Sequence, residues 1–261
     1  MRIRPGLCSV TFRDREPARI AALAAEAGLA VVEWGGDVHV PPGDTARAGE
    51  VARVTRDAGL AVSSYGSYFR ATAGERIDAV LDAAEALGAD RVRVWAGRRG
   101  SADATADDRA EVTAALVRAA EAAGERGIRL ALEYHGGTLA DTPSATSRLL
   151  ADVGHPALGA YWQPTVGADD GTALAEYAAL AGQVDAVHVF SWWPRTERHP
   201  LAAREGLWRP FFAEAASAAH PPRDALLEFV PEDDPAALAG EAAILRSWIA
   251  DASRGTQDTP G

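Results

Sequence analysis

Four polar side chains interrupt apolar runs in the second half of the chain. Glu133 stands in Leu-Ala-Leu-Glu-Tyr-His, Gln163 in Ala-Tyr-Trp-Gln-Pro, His188 in Ala-Val-His-Val-Phe and Glu228 in Ala-Leu-Leu-Glu-Phe. An unpaired carboxylate in apolar surroundings is very costly to desolvate, so each glutamate needs a partner. If the four converge, two carboxylates, an imidazole and an amide oxygen surround one point. That donor set suits one divalent ion, Mn²⁺, Mg²⁺ or Co²⁺ with Zn²⁺ as a further candidate, and leaves positions for water or substrate. Either glutamate could instead serve as a general base. The competing readings are a buried ion pair between a glutamate and an arginine, and His188 as a core histidine. It is the set, at equivalent places in successive segments, that argues for a shared site.

Those places are defined by an alternation. Short apolar runs recur at 7–12, 30–34, 61–65, 91–95, 129–134, 157–162, 186–190 and 225–229, eight in all. Between them lie alanine-rich stretches with helical spacing of apolar residues, such as 17–28, 74–88 and 108–127. Gly28, Gly59, Gly88 and Gly127 stand one to three residues before the next run, where glycine supplies the left-handed turn that ends a helix. Strict strand–helix alternation implies parallel strands with right-handed crossovers, and eight units fit a closed (β/α)₈ barrel. A doubly wound open sheet is the alternative, but no GxGxxG follows the first strand. In a barrel, the active site lies at the C-terminal strand ends, where the four polar residues stand. One domain is expected over 1–252. The polar, glycine-containing end of the chain after Ile249 reads as a disordered tail, assigned to 253–261.

Composition narrows the chemistry. The 261 residues carry 26 basic and 37 acidic side chains, a net charge of −11; every basic residue is arginine, and there is no lysine or asparagine. Schiff-base aldolases, pyridoxal-phosphate enzymes and Walker-type phosphate loops all need a lysine amine and are excluded. The acidic balance argues against nucleic acid as a partner, though an arginine cluster could still hold an anionic metabolite. The lone Cys8 permits no internal disulfide and suggests a reducing compartment. No apolar run approaches a membrane span, and no long apolar stretch of a signal peptide opens the sequence. A cytoplasmic protein is the expectation.

The order and spacing of Val32-Glu33-Trp34-Gly35-Gly36, Leu132-Glu133-Tyr134-His135-Gly136-Gly137, Val187-His188-Val189-Phe190, Gly206-Leu207-Trp208 and Leu227-Glu228-Phe229 resemble the sugar phosphate isomerase/epimerase group of xylose isomerase-like TIM barrels, over about residues 5 to 250. The resemblance implies one divalent metal held by Glu133, His188 and Glu228, with Gln163 where the family has an aspartate and Val166 where it has a histidine. Glutamine lowers the ligand charge from −3 to −2, so metal binding is expected to be weaker or lost. Val166 cannot hydrogen-bond a substrate hydroxyl, which points away from simple ketoses. The implied reaction is isomerisation or epimerisation of a sugar, sugar acid or ketose through an enediolate, with Glu133 and Glu228 shuttling the proton.

The remaining strand ends supply a wall of substrate-binding candidates: Trp34, His39, Tyr65, Trp95, Arg98 and His135, with Glu33, Tyr68 and Arg99 beside them. Aromatic faces stack on ring-shaped ligands, and arginine clamps carboxylate or phosphate. For Trp34 and Trp95 the competing role is packing between barrel and helices. The long segment 191–201 after strand 7 carries Trp192, Trp193, Arg195 and Arg198 and is expected to act as a lid, or else to pack on a neighbouring subunit in a homo-oligomer. Two further functions compete: a lyase or dehydratase, in which the same proton abstraction leads to elimination, and a degenerate barrel that binds a carbohydrate-like ligand without turnover.

Overall fold

The computed structural model describes residues 3–255. Eight parallel strands close into a barrel in sequence order, β1 (Arg4–Cys8), β2 (Val31–Gly35), β3 (Ala61–Gly66), β4 (Arg91–Val94), β5 (Arg129–Glu133), β6 (Leu158–Trp162), β7 (Val184–Val189) and β8 (Asp224–Leu227), with β8 pairing back onto β1. Helices α1 (Pro17–Glu26), α2 (Thr45–Asp57), α3 (Asp78–Leu87), α4 (Ala106–Glu125), α5 (Pro143–Val153), α6 (Asp170–Leu180), α7 (Glu205–Ser217) and α8 (Leu238–Gly255) follow them in turn. The expected (β/α)₈ barrel is the fold.

Local signals account for the helix ends. Thr105 and Asp108 form a reciprocal capping box at the start of α4, and Gly88 closes α3 in the left-handed conformation at φ 76°. Gly28, Gly59 and Gly127 also take positive φ at the expected turns. Two boundaries differ from the sequence reading. The first strand is Arg4–Cys8, and Ser9–Phe12 form a single 3₁₀ turn. Pro5 and Gly6 have low strand propensity, but pairing with β8 on one side and β2 on the other holds them extended. At the other end α8 runs to Gly255, three residues into the segment assigned to a tail; 256–261 lie outside the described residues.

The large apolar core lies between barrel and helices, and a small second cluster of Cys8, Val10, Val31, Ala131, Tyr161, Ala186 and Leu226 fills the barrel interior. Strand parity decides which side chains enter that interior, because successive residues point to opposite faces. A register shift between β2 and β3 pairs Val32 with Val62 and Glu33 with Ser64, so that Ser63 is the extra residue of a bulge. Ser63 and Ser64 therefore both serve the interior. Ser63 Oγ donates to Asp224 at the N-terminal end, and Ser64 Oγ donates to Glu33 at the C-terminal end, each at 2.8 Å.

Candidate active site

At the C-terminal end of the barrel, alternation brings inward Glu33 from β2, Arg93 from β4, Glu133 from β5 and His188 from β7. Gln163 and Glu228 follow directly on β6 and β8. All are buried except Glu228, whose side chain keeps 13% of its exposure and faces the mouth.

His188 is the hub. Its Nδ1 lies 2.9 Å from Gln163 Oε1, 3.6 Å from Glu228 Oε2 and 3.8 Å from Glu133 Oε1. On the opposite edge of the ring, Nε2 faces Glu33 Oε1 at 3.4 Å. Ligand atoms about 2.1 Å from one octahedral or tetrahedral ion lie about 3.0–3.4 Å apart, so the separations around Nδ1 match the edges of a coordination shell to within a few tenths of an ångström. The donor set fits a divalent ion, with Gln163 supplying a neutral oxygen. Glu133, His188 and Glu228 offer donor atoms that all lie within 4.8 Å of one another. Glu33 faces Nε2 at 3.4 Å, the place from which a carboxylate behind a metal-binding histidine would orient the ring.

Arg93 was not among the sequence candidates. Its Nη1 donates to Glu133 Oε2, its Nε lies 3.3 Å from Glu33 Oε1, and the guanidinium is buried. Gly66 makes room for this pair: a Cβ there would meet Glu33 Oε1 at 3.0 Å and Arg93 Nη2 at 3.1 Å. Arg93 is thus the arginine partner anticipated as a competing role for Glu133, and here the ion pair and the donor cluster coexist on the two oxygens of one carboxylate. Cys8 completes the floor, its thiol 3.9 Å from Glu33 Oε1.

Burial and charge act against each other in this cluster. Burial alone would raise the Glu33 pKa, but Arg93, the facing His188 ring and the Ser64 hydrogen bond hold it far below the usual carboxylate range. Burial also favours neutral His188, yet Glu228, Glu33 and Glu133 outweigh it and raise the imidazole pKa. Glu228 is pushed upward by burial and by the Glu133 charge, against the pull of His188 and Arg93. The Cys8 thiol, desolvated and facing carboxylates, is pushed well above its ordinary value and stays protonated.

The predicted wall divides by strand parity. Glu33 points in, so Trp34 points out: its Nε1 donates to Thr55 of α2 at 3.0 Å. Tyr65 likewise turns to the outer layer, its hydroxyl donating to the Val40 carbonyl at 2.7 Å. Both are corrections to the substrate-binding assignment. His39 is buried behind the end of β1, with Nδ1 2.9 Å from Ser9 Oγ, which also accepts from the Gly35 amide. Trp95 and His135 do meet at the mouth, their ring centres 4.5 Å apart, with Tyr68 stacked on Trp95 at 6.2 Å. Arg70 covers the Trp95 ring at 4.2 Å. On the other rim, Trp192 packs on Phe190 and Phe229, and Arg198 lies 4.1 Å over Phe229 while pairing with Asp233 at 2.5 Å. Arg98, Arg99, Arg195, Trp193 and Val166 are exposed on the loops after β4, β7 and β6. Arg198 and Trp192 are therefore held by neighbours within the chain, and Arg98 and Arg195 stand in solvent.

The sequence model described as "Xylose isomerase-like TIM barrel" matches residues 21–245. The chain belongs to that family. No curated protein matches the sequence at a significant level. Among solved structures, the chain is similar to the probable 3-DHS dehydratase of petrobactin synthesis from Bacillus anthracis, with a TM-score of 0.76 at 20% identity, covering 94% of this chain and 99% of that one. It is similar to L-ribulose 3-epimerase with a TM-score of 0.72 at 19% identity, covering 99% and 100%. A xylose isomerase-like TIM barrel protein from Mycobacterium smegmatis, in complex with magnesium, gives a TM-score of 0.72 at 16% identity over 96% and 98%. At these identities the likeness carries the fold.

Proposed function

We propose that this barrel is a divalent-metal-dependent isomerase or epimerase that moves a proton beside the carbonyl of a sugar, sugar acid or ketose. The observation that carries the reading is the convergence of Gln163, Glu228 and Glu133 oxygens within 3.8 Å of His188 Nδ1 at the C-terminal end of the barrel. Glu133, Gln163, His188 and Glu228 would hold the ion, and when bound it would polarise a substrate carbonyl and stabilise the oxyanion that develops on it. The chain's own residues supply the rest. Glu133 has one oxygen tied to Arg93, which fixes its orientation. Glu228 opens to the mouth and would take the carbon-bound proton, leaving an enediolate, and return it on the neighbouring carbon in isomerisation; in epimerisation Glu133, the second carboxylate, would return the proton on the opposite face. Trp95 and His135, their rings tilted at 45° to one another, form an aromatic wall at the mouth against which a sugar ring would pack. The Trp192–Phe229–Arg198 stack would form the opposite side of the mouth.

The resemblance to an epimerase and to a magnesium-bound relative supports this reading, and the dehydratase neighbour supports the second. In that second reading, the same abstraction expels a β leaving group, and product analysis separates the two.

Elemental analysis of protein purified without chelator, beside Glu133→Gln and His188→Ala, tests the metal centre. One Mn, Co, Mg or Zn per chain in the wild type and loss in both variants is expected. A wild type that takes up no ion even after added Mn²⁺ overturns the reading in favour of a carbohydrate-binding barrel without turnover.

A further inference from the structure

We propose that Arg93 competes with the divalent cation for Glu133 and so sets how tightly the site is loaded; the inference rests on the metal-centre reading above. The two oxygens of Glu133 have different partners. Oε2 receives Arg93 Nη1, and Oε1 faces the His188, Gln163 and Glu228 cluster. While Arg93 holds Oε2, Glu133 can offer an ion only one oxygen, and chelation by both is blocked.

Charge works in the same direction. Arg93 places a full positive charge on the same carboxylate an ion would use, in surroundings where neither charge is well screened. Its other carboxylate contact among the described residues is Glu33, whose Oε1 lies 3.3 Å from Nε while Ser64 donates to Oε2. The guanidinium is enclosed on the remaining side by Gly66, where no side chain could be added without pressing on Nη2. Arg93 thus sits between two carboxylates: it satisfies Glu133 when no ion is bound and repels the ion when one arrives. With Gln163 already removing one ligand charge, the site is doubly biased toward weak, exchangeable loading.

A merely positioning role predicts the opposite sign. Outer partners that orient metal ligands typically cost about 10- to 100-fold in affinity when removed. The discriminating pair is Arg93→Gln, which keeps a donor for Glu133 without the charge, and Arg93→Lys, which keeps the charge. Mn²⁺ titration calorimetry on the full chain should show at least tenfold tighter binding in Arg93→Gln and little change in Arg93→Lys. Binding by Arg93→Gln that is unchanged or weaker than wild type overturns the proposal. A second measurement needs no substitution in the protein under test. The Arg93 Nε–H resonance of ¹⁵N-labelled wild type should move during Mg²⁺ titration and saturate with the ion; a signal indifferent to bound Mg²⁺ overturns the proposal even if the glutamine variant fails to fold. If neither wild type nor variant binds any ion, the metal centre itself falls, and the Arg93 role with it. If the wild type binds and the variant binds no tighter, only the Arg93 role falls.

Discussion

Arg91 and Arg93 stand two residues apart on β4 and end at opposite ends of the barrel interior, in opposite electrostatic company. At the N-terminal end, one carboxylate meets several cations: Asp224 accepts from Arg4 at 2.6 Å, from Arg91 at 2.5 Å and from Arg223 at 3.2 Å, with Ser63 adding a fourth bond. At the C-terminal end, one guanidinium meets the carboxylates: Glu33 and Glu133 contact Arg93, and Glu228 stands across His188 without an arginine of its own. In the first cluster both oxygens of Asp224 are taken, Arg223 also pairs with Asp90 at 2.7 Å, and Arg4 and Arg223 reach solvent, which screens their charge. The second carries an excess of negative charge around a donor-lined space. A buried charge cluster that is saturated holds a fold together; one left with a surplus of one sign invites a counter-ion.

That contrast can be broken most sharply by removing one carboxylate at each end. Glu228→Gln should lower turnover by about 10³-fold, near 4 kcal/mol in the barrier, while leaving the metal-free fold within about 1 kcal/mol of wild type. Solvent deuterium incorporation into a panel of ketoses and sugar acids reads the first, and urea unfolding the second. Full activity in the variant removes the proposed chemistry. Asp224→Asn should do the reverse, costing about 3–5 kcal/mol of stability by leaving the buried Arg91 guanidinium without a counter-charge, with kcat of the folded fraction unchanged. A comparable activity loss would mean that the two ends are not separate in function. Gln163→Asp, which restores a charged ligand, should tighten Mn²⁺ binding about 10- to 100-fold in calorimetry, since ligand charge count sets affinity. A weaker site would show that Gln163 lies outside the ligand shell.

Acid should distinguish the ends more gently. Burial opposes ionisation of Asp224, but Arg4 and Arg91 hold its pKa below the usual value. A depressed folded pKa gives stability that is fully present above the unfolded value, about 3.9, and is lost as pH falls through the folded one. Below about pH 4, therefore, the wild type should lose stability faster than Asp224→Asn, and parallel stability curves for the two would contradict the assignment. The smallest effect belongs to the rim. Trp193, 39% exposed, should tolerate alanine within about 0.5 kcal/mol of stability, and a raised KM without loss of stability would assign it to substrate.

The sequence carried most of this, and its gaps have physical causes. The eight segments and their glycine stops are local signals, and they gave the barrel. Glu133, Gln163, His188 and Glu228 were legible because a polar group inside an apolar run is expensive and stands out. Arg93 did not, since arginine is usually a surface residue and 25 others surround it in the composition. Yet the Arg-Val-Arg-Val alternation of β4 placed both arginines on one face, and parity alone would have flagged them. The same rule, applied to β2, would have moved Trp34 outward once Glu33 was taken as inward; the outward turn of Tyr65 rests on the bulge in β3. Ser63 and Ser64 were beyond reach, because their shared inward role depends on a bulge that pairing between strands creates.

Gly66 imposes an order on any attempt to redesign this barrel. A methyl group there meets Glu33 Oε1 at 3.0 Å and Arg93 Nη2 at 3.1 Å, so alanine at 66 requires both side chains to give by a few tenths of an ångström, and a smaller residue at 93 relieves one of the two contacts. A path that first shortens position 93 meets one remaining contact at 66, that of Glu33, whereas the reverse path must displace two side chains at its first step. The two positions, 27 residues apart in sequence, should therefore be varied together in a library, with arginine and glycine kept as one allele.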